Sequence, residues 1–471
     1  MACLRNGQLG EARAKCAAVL SKVDDHAGLH HLMAAICHDQ RETATAVVHA
    51  RKAVSLRPNG VGYQRSLATC LLANREPDEA GAVARRALEQ EPDNAVLLIL
   101  LGDCMFEQGC YREALAVLRR AIALDPDHVQ GHMVMGSILA ALGRAGEAGA
   151  SFVKGLTLRP DNPLGQVNRG LALMRAGDFV RGLEAYEARW SWKCFRTRKP
   201  AVSAPRWQGE DLPGGRILLW SEQGIGDTIQ YARYAALVRE RCDHVTLAVT
   251  RRAHRLLSSV PGVVSVIEPA DDAGQRDFFD AWVPTMSLPW LFGTTVETIP
   301  SQTPYLRAPE PANALIRERL YVSGLKVGFC WCGNPSHRHD RHRSMAFDQL
   351  APLVGHPGIT AFRLQRDVRE RDHEALALLA EIEPEGGDLA DVASAIAGLD
   401  LVVTVDTSIA HLAGALNVPC WLMLPYVSDF RWLEGRADPP WYPSVRLFRQ
   451  PQPADWQAVV DEVRSALDAF V

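Results

Sequence analysis

Residues 93–126 read DNAVLLILLGDCMFEQGCYREALAVLRRAIALDP, a stretch in which two helical patterns are separated by Gly109 and closed by Pro126. The same closing position recurs every 34 residues in the N-terminal part of the chain. It is a proline in four successive copies: Pro58, Pro92, Pro126 and Pro160. Asp24 and Cys194 keep the phase where proline is missing. Because proline stops a helix, the period predicts a series of helical hairpins.

Small residues recur at fixed positions of the same register. One column contains Ala34, Ala68, Gly102, Gly136 and Gly170, and a second contains Ala12, Ala46, Ala80, Ala114, Ala148 and Gly182. Glycines at the turn between the two helices are Gly7, Gly109, Gly143 and Gly177. Small side chains allow two helices to approach closely, so these columns predict tight packing within each hairpin.

Several columns agreeing at one period resemble the tetratricopeptide repeat, over about residues 1–195. The resemblance implies an all-α solenoid whose concave groove holds a peptide or protein. Pure scaffolding or self-association is the alternative use of the same surface. Gly7 already stands at an inter-helix turn, so the first repeat is expected to lack most of its first helix.

Bulk composition narrows the class of protein. The formal net charge of -4 over 471 residues gives no field that would attract nucleic acid. The longest apolar run, residues 95–102, is far too short for a membrane span. The 11 cysteines are scattered and form no Cys-x-x-Cys pair, as in proteins of a reducing compartment. These features predict a cytoplasmic protein.

The hydrophobic pattern changes after a proline-rich linker at residues 196–214, in which Trp207 is expected to pack. Short apolar runs then alternate with helical segments, which predicts parallel α/β layers. Predicted strands are 216–221, 244–250, 263–268, 281–284, 326–332, 360–364 and 400–405. They suggest two Rossmann-like halves, 215–312 and 313–471, the second closed by a helix at 455–470. The predicted fold class is therefore multidomain: an all-α solenoid followed by an α/β double Rossmann domain.

The first candidate site is the motif EQGIGDT at residues 222–228, directly after a predicted strand. Open α/β sheets bind ligands at the carboxyl ends of their strands. Gly224 and Gly226 would let the backbone approach a substrate, and Asp227 is a candidate catalytic carboxylate. Asp227 could equally be an ordinary helix N-cap.

The second candidate site is DTSIAHLAG at residues 406–414, where an apolar strand meets a helix of small residues. Backbone amides at Thr407 and Ser408, together with the helix dipole, favour a phosphate group. His411 lies close enough to donate to the same anion. The alternative is that Asp406 caps the helix and His411 packs in the core.

The third candidate is the basic loop at residues 332–344, which also follows a strand and contains Asn334. Its arginines could neutralise a diphosphate; they are Arg338, Arg341 and Arg343. A merely solvated basic loop is one alternative. A metal site is another, although the spacing of its candidate ligands fits no standard zinc pattern; they are Cys330, Cys332, His337, His339 and His342.

Aromatic residues surround Arg431 in the segment DFRWL at 429–433 and again in WYPS at 441–444. Such side chains can stack on a base or a sugar. They could equally pack only the edge of the domain.

Taken in order, the motifs at 222–234, 331–344, 406–416 and 441–448 resemble heptosyltransferase-like glycosyltransferases of the GT-B type. The resemblance covers about residues 215–450 and implies a nucleotide sugar as donor substrate, with no other cofactor and no metal. It places the diphosphate on Thr407, Ser408 and His411, and Asp227 on the acceptor side. The loop at 332–344 has no lysine for the phosphates, so Arg341 or Arg343 is expected to serve.

The predicted function is therefore sugar transfer, with inversion, from a nucleotide sugar to a protein acceptor held by the repeats. Asp227 and His411 are the expected catalytic residues. Gly224, Gly226, Asn334, Arg341, Arg343, Asp406, Thr407, Ser408 and Arg431 are the expected donor-binding residues. Repeat-bearing bacterial proteins of this type are linked to flagellin glycosylation, so flagellin is the acceptor that the resemblance implies. The alternatives are a repeat scaffold with a decayed transferase domain and a transferase acting on a saccharide or lipid.

Overall fold

The structure, a computed structural model, describes residues 8–192, 195, 197–269, 277–310, 313–337, 340–382 and 386–471. The chain divides into two compact units, Met1–Arg169 and Gly170–Val471. Four residues singled out in the sequence lie outside the described residues: Gly7, Cys194, Arg338 and His339. No helix in the described part of the chain is long and apolar enough to cross a lipid bilayer.

The first unit is built from antiparallel helical hairpins at the predicted period. Its helices are α1 (Leu9–Leu20), α2 (Ala27–Asp39), α3 (Thr43–Leu56), α4 (Val61–Ala73), α5 (Pro77–Gln90), α6 (Ala95–Glu107), α7 (Tyr111–Leu124), α8 (Val129–Ala141) and α9 (Ala145–Leu158). The next helix, α10 (Pro163–Arg175), spans the boundary between the two units.

The small-residue columns occupy the contacts between paired helices. Ala34 and Ala68 are fully buried. A methyl group placed on Gly102 in α6 would lie 1.6 Å from Leu118 Cδ2 in α7, so no larger side chain fits. Gly109, in the turn between these helices, has a φ of 81°, a conformation that glycine adopts without steric cost. Close approach at these positions explains the column pattern.

The second unit begins with helical structure and continues into a four-stranded parallel sheet. After α10 come α11 (Phe179–Tyr186) and a 3₁₀ turn at Glu187–Ser191. The first sheet has the strand order β3-β2-β1-β4. Its elements are β1 (Leu212–Trp220), α12 (Ile225–Ala232), α13 (Ala235–Arg239), β2 (Cys242–Ala248), α14 (Arg251–Leu257), β3 (Ser265–Ile267), β4 (Ala281–Pro284) and α15 (Leu288–Leu291).

A second parallel sheet has six strands in the order β10-β9-β8-β5-β6-β7. Its elements are α16 (Ala314–Arg319), β5 (Leu325–Cys330), α17 (Asp340–Arg343), α18 (Phe347–Val354), β6 (Ile359–Arg363), β7 (Ala380–Glu381), α19 (Leu389–Ala397), β8 (Leu401–Val405), α20 (Ser408–Ala415), β9 (Cys420–Leu424), β10 (Val445–Arg449) and α21 (Trp456–Asp468). Read from β7, this is the order 3-2-1-4-5-6 of dinucleotide-binding folds.

The helical segment after β1 is divided in two. α12 ends at Ala232, and the next side chain, Arg233, is buried, with only 5 % of its surface exposed. Its guanidinium donates to the carbonyls of Trp441 (2.7 Å) and Pro300 (2.9 Å). Trp207 of the predicted linker is fully buried, as expected. The predicted class, helical repeats followed by a parallel Rossmann-like α/β region, is confirmed.

Candidate functional site

Each sheet of the second unit changes winding direction next to its first strand. In the first sheet β1 lies between β2 and β4, and in the second β5 lies between β6 and β8. Ligands of doubly wound sheets bind outside the carboxyl ends of strands at such points. The segments that leave β1, β5 and β8 there carry the three motifs identified in the sequence.

The turn after β1 is shaped by Gln223, whose φ of 63° is uncommon for a residue other than glycine. Gly224 is the N-cap of α12, so Asp227 is the third helical residue and not the N-cap. Asp227 Oδ2 accepts a hydrogen bond of 2.8 Å from the Gly224 amide. This contact holds the carboxylate at the helix N-terminus.

The turn after β8 places Thr407 as the N-cap of α20 and leaves Asp406 outside the cap. Thr407 Oγ1 accepts from the amide of Ile409 at 3.3 Å. Ser408 is the first helical residue, and its hydroxyl makes no hydrogen bond with the described residues. The capping alternative for Asp406 is therefore wrong, and Asp406 is half-buried beside the helix terminus.

The two motifs meet at Gly226. A methyl group on Gly226 would lie 2.9 Å from His411 Cδ2 and 3.4 Å from Ser408 Cα. The first turn of α12 therefore packs directly against the first turn of α20, and the absence of a side chain at Gly226 permits it. Two helix N-termini, one from each sheet, converge on one place.

Arg431 joins the segment after β9 to the first motif by charge. One guanidinium nitrogen, Nη2, donates to Asp227 Oδ1, and Nη1 donates to Asp429 Oδ1 at 2.7 Å. Its Nε donates to Gln230 Oε1 of α12 at 2.6 Å. Arg431 is only 7 % exposed, so this arginine is fixed in place and holds Asp227 in turn.

His411 is only 5 % exposed and lies between aromatic rings. Its Nδ1 is 3.0 Å from the hydroxyl of Tyr442, and its ring stacks on Trp432 with a centroid distance of 5.3 Å. Burial, assisted by Arg431, lowers the pKa of His411 to about 3. The imidazole is therefore neutral at pH 7. With the Tyr442 hydroxyl as donor to Nδ1, His411 keeps its proton on Nε2, on the side of the ring that Gly226 approaches.

The basic loop after β5 contributes Arg343 to this place. Arg343 Nη1 donates to the carbonyl of Asp406 at 2.9 Å, and its Nε lies 3.6 Å from Asp340 Oδ1. Arg341 is exposed and makes no such contact. Asn334 is exposed too, and its Oδ1 accepts from the amide of Ser336 at 2.8 Å. Arg343 thus lies at the helix terminus, whereas Asn334 has a role in the turn of its own loop.

Three carboxyl groups share the site with two arginines. Burial raises the pKa of Asp227, against the lowering effect of Arg431. Burial and the neighbouring Asp429 raise the pKa of Asp406. Burial acts on Asp429 in the same direction, but Arg431 outweighs it and lowers that pKa. Asp227 and Asp406 therefore accept a proton more readily than an ordinary aspartate.

The metal alternative has no support among the described residues, where no group of three His, Cys, Asp or Glu side chains is placed to hold an ion. Cys330 is buried, and its Sγ lies 3.3 Å from Gln365 Oε1. The aromatic residues near Arg431 are buried as well, because Trp432, Trp441 and Tyr442 are at most 1 % exposed. Edge packing therefore describes them better than an open stacking surface.

Two contributors had no local signal in the sequence. Nothing in the sequence distinguishes Gln230 from the other residues of its helix, although its side chain accepts a hydrogen bond from Arg431, 201 positions further along the chain. Arg189 was assigned to the repeats, yet its guanidinium forms a buried pair with Glu222. Only the fold brings such distant positions together.

Comparison with known proteins supports the repeat assignment. The tetratricopeptide repeat family matches residues 71–138 and, in a second model, residues 39–95. The N-terminal region therefore contains tetratricopeptide repeats. Two similar solved structures are a thermophilic TPR protein of Thermus thermophilus and PilW, a type IV pilus biogenesis factor. The first has 18 % identity, covers 34 % of this chain and 89 % of its own, and has a TM-score of 0.33. The second has 19 % identity, covers 41 % and 87 %, and has a TM-score of 0.36.

A longer sequence match is to Protein FlbA of Caulobacter vibrioides, which is 29 % identical over 335 residues. The match includes 65 % of this chain and 55 % of FlbA. The chain therefore spans about half the length of this curated relative.

Proposed function

We propose that this chain is a GT-B type glycosyltransferase that moves a sugar from a nucleotide sugar to a protein acceptor held by the repeats. The nucleotide sugar is the donor substrate and no further cofactor is needed. The proposed location is the cytoplasm, and flagellin is the acceptor suggested by the family resemblance.

One observation carries the proposal. Gly226, the neighbour of Asp227 in the helix after β1, packs against Ser408 and His411 of the helix after β8, at the point where ligands of doubly wound sheets bind. Paired sheets that present a carboxylate on one side and a helix N-terminus on the other suit a reaction between an acceptor and a phosphate-bearing donor. The six-stranded 3-2-1-4-5-6 order supports nucleotide binding on the second side.

The proposed reaction is a single displacement. An acceptor hydroxyl attacks the anomeric carbon, the new glycosidic bond forms, and the bond from that carbon to the phosphate oxygen breaks. Asp227 takes the proton of the hydroxyl, and the nucleotide leaves with the bonding electron pair. Burial raises the pKa of Asp227, which brings it nearer the value suited to a general base. Attack from the face opposite the phosphate inverts the anomeric centre.

Charge on the departing phosphate is stabilised by groups at the start of α20. The Ser408 amide and hydroxyl, the helix dipole and Arg343 are the proposed partners. His411 adds one neutral donor, its Nε2–H. A neutral donor is useful here because it needs no change of protonation during turnover.

A second candidate, a non-catalytic scaffold, is favoured by one specific observation. Both oxygens of Asp227 are already engaged, Oδ2 by the Gly224 amide and Oδ1 by Arg431. A carboxylate whose two oxygens are both hydrogen-bonded stabilises the packing of the site, whether or not it also acts in catalysis. If it serves packing alone, the repeats would be the functional part and the second unit would bind no sugar nucleotide.

The test is a thermal-shift panel of nucleotides and nucleotide sugars, followed by transfer assays with the donor that binds. A ligand at one hundred times its Kd stabilises the folded protein by about 2.7 kcal/mol. Asp227→Asn should keep this shift and lower transfer by about 100-fold or more. His411→Gln should reduce both the thermal shift and the rate of transfer. Asp348→Asn is the matched control, because Asp348 is an exposed first-turn aspartate of α18.

The scaffold hypothesis makes the opposite prediction. No nucleotide or nucleotide sugar would shift the wild-type melting temperature, and no transfer would be detected to any acceptor. Transfer to an oligosaccharide or lipid with none to protein would reject the proposed acceptor and keep the enzyme. Full transfer by Asp227→Asn would remove that residue from the mechanism.

A further inference from the structure

The 34-residue register assigns Phe179–Tyr186 to the last repeat, but this helix belongs to the same compact unit as the sheets. A methyl group on Gly170 in α10 would lie 2.7 Å from the Gly182 carbonyl in α11. The pair α10 and α11 is therefore packed as tightly as the other hairpins. The pair differs from the other hairpins in the contacts made by residues at and just after the end of α11.

Arg189, in the 3₁₀ turn that follows α11, is 1 % exposed and forms a two-bond ion pair with Glu222. Its Nε donates to Glu222 Oε2 at 3.0 Å and its Nη2 to Oε1 at 2.8 Å. The Nη2 nitrogen also donates to Ser287 Oγ at 2.7 Å. Glu222 is the residue just before the strained Gln223, so the first side of the turn at 222–227 is anchored to the end of the repeat helix.

Tyr186, the last residue of α11, reaches the next residue of the same turn. Its hydroxyl accepts a hydrogen bond of 2.8 Å from Gln223 Nε2. Gln223 has the left-handed φ of 63° that directs the Gly224 amide toward Asp227. A side chain in an uncommon backbone conformation needs contacts that hold it there. For Gln223, the hydrogen bond from its side-chain amide to the Tyr186 hydroxyl is such a contact.

The ring of Tyr186 also touches the other side of the site. It lies 6.5 Å from the ring of Phe430, centroid to centroid. The next residue is Arg431, which donates to Asp227. Tyr186 therefore contacts both the turn that carries Asp227 and the segment that carries its partner.

We infer that Tyr186 is a positioning residue that holds the Gln223–Asp227 turn in the geometry needed for sugar transfer. The inference rests on the proposed function for its catalytic part. It assigns the end of the last repeat a second role besides any contact with an acceptor, because α11 then supports the reacting carboxylate. Tyr186 acts through a series of contacts. Its hydroxyl holds Gln223, the backbone conformation of Gln223 orients the Gly224 amide, and that amide holds Asp227.

The test uses the full chain with Tyr186→Phe, Gln223→Met and the double variant. Tyr186→Phe keeps the ring and removes only the hydroxyl. Gln223→Met keeps the length of the side chain and removes only the donor. Tyr234→Phe is the matched control, because it removes another buried hydroxyl of the same unit, bonded to Thr294 Oγ1 at 2.9 Å.

Backbone hydrogen exchange of the segment 221–231 is the first readout, and it needs no substrate. Loss of one hydrogen bond changes an equilibrium by about two- to tenfold. Tyr186→Phe should speed exchange by that factor at Gly224 and Thr228, whose amides are hydrogen-bonded within the turn, and Gln223→Met should match it. The double variant should be no faster than either single variant, because both remove one bond. Tyr234→Phe should leave this segment unchanged.

The kinetic readout uses the nucleotide sugar that gives the largest thermal shift. Tyr186→Phe should lower kcat by about three- to tenfold, since small misplacements of reacting groups are costly, and leave the donor KM within about twofold. Unchanged exchange in Tyr186→Phe would overturn the inference. Faster exchange with unchanged kcat would overturn its catalytic part. If no nucleotide sugar binds wild type, the proposed function fails, while exchange still decides whether Tyr186 positions the turn.

Discussion

The imidazole of His411 lies between Trp432 and Tyr442, within reach of four charged groups on three segments of the second unit. Arg431 and Asp429 come from the segment after β9, Arg343 from α17, and Arg233 from the end of α12. Burial and the positive neighbours together favour the neutral ring. A buried neutral histidine makes folding sensitive to acid, because the unfolded chain takes up a proton that the folded site excludes.

For His411 the affected range lies between the ordinary pKa near 6.5 and the lowered value of about 3. The stabilising contribution of its burial is complete above pH 6.5 and decreases as the pH falls toward 3. At pH 5 the loss is about 2 kcal/mol. Asp406 acts in the opposite sense, since its pKa is raised, so stability from that group is lost as the pH rises through about 6.

Urea unfolding of wild type and His411→Gln at pH 7.5 and pH 5 separates the two groups, because both proteins retain Asp406. We expect the stability advantage of wild type over the variant to shrink by about 2 kcal/mol at the lower pH. The control is His254→Gln, a change at an exposed histidine of the same unit. An advantage that stays constant between the two pH values would mean that His411 titrates normally.

Among the helices of the first unit, glycine positions have opposite roles. Gly102 in α6 faces α7 so closely that a methyl group would overlap Leu118. Gly149 in α9 has no heavy atom within 4 Å of the corresponding position. The same substitution should therefore have opposite signs at the two sites.

Gly102→Ala should destabilise the protein by about 1–3 kcal/mol because it overpacks the contact between α6 and α7. Gly149→Ala should stabilise it by about 0.5–1 kcal/mol because alanine loses less backbone entropy in a helix. Thermal unfolding monitored by far-UV circular dichroism measures both. Equal effects of the two changes would contradict the close helix contact.

Some strands could be predicted from the sequence and others could not, for physical reasons. β1, β2, β4, β5, β6 and β8 are apolar runs followed by turn or helix signals, and β3 is a shorter strand within its predicted span. The prediction does not include β7 (Ala380–Glu381), β9 (Cys420–Leu424) or β10 (Val445–Arg449), because β7 has only two residues, β9 follows α20 after a very short connection and β10 contains two arginines. The motifs at the carboxyl ends of β1 and β8 were located correctly, because their position depends on local order. Whether Asp227 and His411 act in catalysis stays a prediction.

The ion pair of Arg189 with Glu222 joins two elements of the second unit, the 3₁₀ turn after α11 and the turn after β1. Both side chains are about 1 % exposed, and breaking a buried pair leaves one uncompensated charge at a cost of about 3–5 kcal/mol. Arg189→Met should therefore destabilise the second unit by about that amount. Arg189→Met combined with Glu222→Met should recover a large part of the loss. Urea unfolding followed by tryptophan fluorescence measures the difference, and an additive double variant would contradict it.

On the scale of the whole molecule, the division between units determines which truncations are informative. A fragment of residues 161–471 keeps α10, α11 and Arg189, whereas a fragment of residues 196–471 removes them and leaves Glu222 unpaired. We expect the first to unfold cooperatively and to keep any thermal shift that nucleotides produce in the full chain. The second should melt at a lower temperature, by about 6 °C or more for a loss of about 3 kcal/mol. Equal melting temperatures would show that Arg189 is dispensable.

The boundary inside α10 has a consequence for exchanging parts between proteins of this kind. Replacing the chain upstream of Pro163 with repeats from another array should leave the contacts around Gln223, Asp227 and Arg431 in place, because the hydrogen-bond partners given for them among the described residues lie further along the chain. A junction at residue 195 would discard Tyr186, the partner of Gln223, and Arg189, the partner of Glu222. We therefore expect recombination, natural or engineered, to be tolerated at one repeat joint and damaging at the next. Under the proposed function, new acceptors would be acquired by changing the array upstream of that joint.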